Sequence, residues 1–70
     1  MAPINKQDYV RIIVFDDGNQ PYQSIPNKWI ILDVMFNGDK VKLKNFHRPD
    51  IILRSISSWK IEFMIKYEFD

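Results

Sequence analysis

Three observations predict an all-β fold for this 70-residue chain. The final stretch, residues 59–70, alternates: Trp59, Ile61, Phe63, Ile65, Tyr67 and Phe69 share one parity, and Lys60, Glu62, Met64, Lys66, Glu68 and Asp70 the other. Strand side chains point to opposite faces with a period of two, so this reads as one long strand with a buried aromatic-aliphatic face and a wet face. The composition holds eleven Ile, ten aromatics and a single Ala, a balance that suits a pleated surface better than a helix. Asn37-Gly38 lies between two further apolar runs, and Asn-Gly accepts positive φ at both centres of a two-residue type I′ hairpin turn.

Each element follows in order. Residues 1–7 are polar and are expected to fray. Residues 9–15 form the first strand, with Val10, Ile12 and Val14 on one face and Tyr9, Arg11, Ile13 and Phe15 on the other. Asp16-Asp17-Gly18-Asn19 ends it with turn chemistry, and a loop with Pro21 and Pro26 follows over residues 20–28. Residues 29–36 form the second strand, apolar on both faces, which places it centrally in the sheet. After the hairpin, residues 39–46 run back with Val41 and Leu43 inward and Lys40, Lys42 and Lys44 outward. Pro49 stops that strand. Asp50 then caps a helical turn over residues 51–57, where Ile52, Leu53 and Ile56 have i, i+1, i+4 spacing, or the same segment is a short strand.

The expected result is one small domain over residues 1–70. Its sheet is strongly bent, or closes partly into an SH3-like or OB-like barrel of four to five strands, with at most one short helical turn. The last strand is expected to supply much of the core, with Phe63 buried at its centre. At 70 residues the core is near the smallest that holds by packing alone.

Composition also narrows the function. There is no Cys, so no disulfide, thiolate metal site or thiol nucleophile is available, which suits a reducing compartment. No apolar run reaches the roughly 18–20 residues of a membrane span, and the first residues lack the apolar stretch of a signal peptide. The expectation is an intracellular protein, cytoplasmic or nuclear. His47 is the only His, too few for a zinc site. Gly18 and Gly38 are the only glycines, which leaves no phosphate-cradling loop and no nucleophile elbow. The acids at 16 and 17 are adjacent, whereas a calcium loop alternates its ligands and ends on a distal Glu. No catalytic residue, metal or cofactor is expected.

Charge is unevenly spread beneath a net charge of +1. Residues 1–39 and 61–70 each balance at −2, while residues 40–60 carry +5 through Lys40, Lys42, Lys44, Arg48, Arg54 and Lys60 against Asp50. Period-two spacing lifts Lys40, Lys42 and Lys44 onto one face at roughly 7 Å intervals. Such a row either carries an anionic partner or guards an edge strand against aggregation. Tyr22 and Trp29, in and beside the long loop, offer the contact area and polar tips common at interfaces. The expected function is a small non-enzymatic binding module, of adaptor or inhibitor type, that docks on a protein through Lys40, Lys42, Lys44, Arg48, Tyr22 and Trp29. The alternative is a nucleic-acid-binding domain with Lys40, Lys42 and Lys44 on phosphates and Tyr22 or Trp29 stacked on bases. No membrane partner is expected, and a homodimer through an edge strand is a further possibility.

Overall fold

The computed structural model describes residues 5–64. Five antiparallel strands form one sheet: β1 (Tyr9–Ile12), β2 (Trp29–Met35), β3 (Lys40–Asn45), β4 (Ile52–Ser57) and β5 (Ile61–Phe63). Their order across the sheet is β4-β3-β2-β1-β5. The last strand thus returns beside the first, and the only helical segments among the described residues are 3-10 turns at Gln20–Ser24, Phe36–Gly38 and Ser58–Lys60.

All five strands give residues to one buried cluster: Val10 and Ile12, Trp29 and Ile31, Val41 and Leu43, Leu53 and Ile56, and Ile61. A sheet that hides side chains from both of its edges on one face must curl toward that face. Two irregularities mark where it curls. The β2–β3 register shifts between Ile31 and Asp33, and the β3–β4 register shifts between Val41 and Leu43. Both flank Lys42, and bulges bend and twist a sheet locally. The first also explains a change of parity in β2. Trp29 and Ile31 face the core before the shift, while Val34, opposite Val41, packs on it afterwards.

The Asn37-Gly38 turn forms where expected. Asn37 (φ 55°, ψ 32°) and Gly38 (φ 94°) occupy its centre, and the Asp39 N–H donates to the Phe36 carbonyl at 3.1 Å. The ladder, however, closes one pair further out, at Met35 opposite Lys40. Phe36 has itself left the extended region, at φ 52°, so it and Asp39 stand outside the strands.

Other boundaries are corrected. β1 ends at Ile12 rather than Phe15, because the N–H groups of Ile13 and Val14 turn to the Lys60 carbonyl at 2.8 and 3.3 Å. The 51–57 segment is strand and not helix: Ile52 pairs with Lys44 and Ser57 with Lys40. The final strand is three residues long among the described residues, with Trp59 in the preceding 3-10 turn. Ile65, Tyr67 and Phe69 lie outside them. Phe63, expected to be buried, is 45% exposed. It stands opposite Val10 on β5, the edge strand of the described sheet. The core instead centres on β2 and β3. Of the amino-terminal segment expected to fray, residues 5–7 are held: the Gln7 N–H donates to the Ile31 carbonyl at 2.7 Å, and Lys6 lies 3.8 Å from Asp33. Residues 1–4 lie outside the described residues.

Candidate partner-binding surface

The face of the sheet opposite the core carries the lysine row. Strand alternation puts Val41, Leu43 and Asn45 inward, so Lys40, Lys42 and Lys44 emerge together on the outer face, each half-buried. β3 is hydrogen-bonded to β2 on one side and β4 on the other. The curl toward the core makes the outer face convex and spreads these side chains. Each lysine has distinct neighbours. Lys40 lies between Met35 and Ser57, and its ammonium donates to Ser57 Oγ at 3.2 Å. Lys42 is opposite Asp33, the single acid on the adjoining strands, and Asp33 already faces Lys6. Lys44 stands between Ile30 and Ile52, and Ile52 is 44% exposed. Neither Lys42 nor Lys44 has an ion-pair partner among the described residues. Arg54, exposed on β4 beside the bulge, enlarges the basic area.

At the Lys44 end, β3 runs into a loop built on Asn45. This side chain is fully buried. Its Nδ2 donates to the Pro26 carbonyl at 2.8 Å, and its Oδ1 accepts from the N–H groups of His47 and Arg48, both at 2.9 Å. The loop is thereby fixed with Phe46, His47 and Arg48 exposed. Phe46 meets Tyr9 edge-on, centroids 5.6 Å apart, and His47 at 5.2 Å. The Lys28 ammonium lies 4.0 Å from the Phe46 centroid and 5.7 Å from that of Tyr9. A cation over a ring face is attracted by the ring quadrupole, so Lys28 and Tyr9 hold Phe46 in place. No local signal marks Tyr9 or Lys28, because their neighbours come from elements far apart in the chain.

The sequence-based site residues therefore divide. Lys40, Lys42 and Lys44 share one surface, and Arg48 projects from the loop at its end. Trp29 is fully buried, with its indole Nε1 donating to Asn27 Oδ1 at 2.9 Å. It presents no face to a partner. Tyr22 is half-buried and packs edge-on against Trp29, centroids 6.3 Å apart. The aromatic loop thus roofs the core, and Phe46 takes its place as the exposed ring beside the lysines. Among the described residues no three His, Asp or Glu side chains come close enough to hold a metal ion, and no helix is long and apolar enough to cross a membrane.

Comparison with protein families, curated proteins and solved structures finds no match for this chain.

Proposed function

We propose that this protein is a non-enzymatic binding module, adaptor or inhibitor in type, that docks an acidic surface of a protein partner on the outer face of β3 and β4. One observation carries the reading: the lysine row sits on an interior strand. An edge strand uses lysine to repel other edges, but β3 has β4 beyond it and needs no such guard. Three regularly spaced cations, two of them without an ion pair among the described residues, are then better accounted for by a partner. The apolar neighbours favour protein over nucleic acid. Ile52 and Phe46 are each 44% exposed beside Lys44 and Arg48, and protein interfaces combine such anchors with a charged rim.

The test uses two probes, a short peptide of alternating Glu and Leu and a single-stranded oligothymidylate, each at low and high salt. The peptide should bind the parent, and Lys40→Ser/Lys42→Ser/Lys44→Ser should weaken it about tenfold or more, mainly through the association rate. Tight oligonucleotide binding with a steep salt dependence, together with no peptide binding, would replace this reading with the nucleic-acid one.

A further inference from the structure

At the Lys40 end of the sheet three segments converge. The Ser58 N–H donates to the Asp39 carbonyl at 2.9 Å, which ties the Ser58–Lys60 turn to the hairpin tip. The N–H groups of Ile13 and Val14 donate to the Lys60 carbonyl, which ties the same turn to the chain leaving β1. This junction carries large apolar side chains in the open: Phe36 is 71% exposed, Trp59 67%, Ile13 50% and Val14 37%. These residues come from three separated stretches, so a local accident of sequence does not account for them. Exposed apolar side chains gathered at one place mark interaction surfaces in soluble domains.

Trp59 is exposed but not loose. The Lys60 ammonium lies 5.4 Å from its ring centroid and is itself fixed by Asp16, Nζ to Oδ2 at 2.6 Å. Asp16 is in turn fixed by the Asn19 N–H. The indole is therefore oriented by a cation while two-thirds of the residue stays exposed. An interface aromatic held in place before contact loses little freedom on binding, which is what makes such residues effective anchors.

The charge around this junction is mixed but acidic in balance, with Asp16, Asp17 and Asp39 against Lys40, held by Ser57, and Lys60. Lys60 is neutralised by Asp16, while Asp17 and Asp39 are exposed on either side with no side-chain partner among the described residues. We infer that this junction is a second docking surface, separate from the lysine face. Its occupant is an extended peptide segment that alternates basic and apolar side chains. An apolar side chain of that segment would cover Trp59 and Val14, and its cations would meet Asp17 and Asp39. The two surfaces would let one small domain join an acidic partner to a basic one.

The two tryptophans make the test direct, since Trp29 is fully buried and Trp59 is exposed. The probe is a short capped peptide of alternating Arg and Leu, with Arg-Ser and Glu-Leu peptides of equal length beside it. The Arg-Leu peptide should shift Trp59 emission to the blue and saturate, and the other two should not. Trp59→Ala, followed by calorimetry, should lower affinity at least about tenfold. Asp17→Asn/Asp39→Asn should lower it as well, with the circular dichroism of both variants unchanged. Lys42→Ser/Lys44→Ser should retain Arg-Leu binding, which separates this surface from the lysine face. The proposal is overturned if no saturable shift occurs, if Trp59→Ala binds as the parent does, or if Arg-Ser binds as well as Arg-Leu.

Discussion

The side chain of Asn27 bonds both backbone groups of Ile12. Its Oδ1 accepts from the Ile12 N–H at 2.9 Å, and its Nδ2 donates to the Ile12 carbonyl at 2.8 Å. The β1–β2 ladder has two backbone pairs, Tyr9 with Ile30 and Val10 with Trp29. Gln7 and Asp8 extend it at one end through backbone bonds to Ile31, and at the other end a side-chain amide, next to Pro26, makes the rung at Ile12. The same Oδ1 accepts from the Trp29 indole, so one residue joins the first strand, the long loop and the largest core side chain.

Asn27→Ala is therefore expected to destabilise strongly. It leaves the Trp29 Nε1–H without its acceptor in the core and strips both Ile12 groups, a loss of about 2–4 kcal/mol at roughly 1 kcal/mol per bond plus the desolvation of an orphaned donor. Urea unfolding of the variant measures this directly. A loss under about 0.5 kcal/mol would show that water replaces the amide without penalty.

Asn45 predicts a local effect. Asn45→Leu removes the acceptor for the His47 and Arg48 N–H groups and the donor to Pro26. The 46–51 loop should loosen, and amide exchange at positions 47 and 48 should accelerate well beyond that of β3. Stability should fall by about 1–3 kcal/mol, because buried polar groups lose their partners. If positions 47 and 48 keep their protection, the loop is held by its aromatic contacts instead.

The core is expected to respond unevenly to truncation. Leu43 is fully buried, so Leu43→Ala should cost about 2–5 kcal/mol. Phe63 is 45% exposed, and Phe63→Ala should fall well below the about 3–5 kcal/mol of a buried Phe. Thermal melts of the two variants side by side decide the order. The reverse order would place the centre of the core under β5.

Asp16 and Lys60 predict an acid response. The hydrogen bond from Lys60, helped by its charge and by the Asn19 and Gly18 N–H groups, holds the Asp16 carboxyl below its ordinary 3.8. A carboxyl lowered on folding stabilises the folded state above the ordinary value, and that contribution fades as pH falls through the lowered one. The melting temperature of the parent should thus exceed that of Asp16→Asn at neutral pH, and the gap should close at acid pH below 3.8. Trp59 emission should change over the same range. A gap that persists in strong acid would assign the effect to the turn rather than to the ion pair.

Much of the architecture was legible in the sequence. Asn-Gly marked the hairpin, and alternation placed Val41 and Leu43 inward and the lysines outward, because turn chemistry and pleat are local properties. The departures at Trp59 and Phe63 have a physical cause. Alternation reports that a backbone is extended and says nothing about what covers its apolar side. Ile61 is covered by β1, while Trp59 swings out in a 3-10 turn and Phe63 lies on the edge strand of the described sheet. Asn27 and Asn45 were illegible for a different reason. Asn27 follows Pro26 in what reads as loop and Asn45 lies in what reads as strand, and neither local pattern shows that they bond to groups 15 and 19 positions away. Trp29 turns inward rather than to a partner because its indole N–H finds its acceptor in Asn27.

The interior place of β3 has a consequence for how discriminating its outer face is. Edge strands fray on their own, while a strand bonded on both sides opens only when the whole sheet does. Lys40, Lys42 and Lys44 therefore behave as the graduations of a stiff ruler, held near 7 Å apart. A flexible basic tail adapts to any anion. A ruler favours a partner whose negative charges repeat at its own interval, and it rejects others through misfit rather than weak attraction.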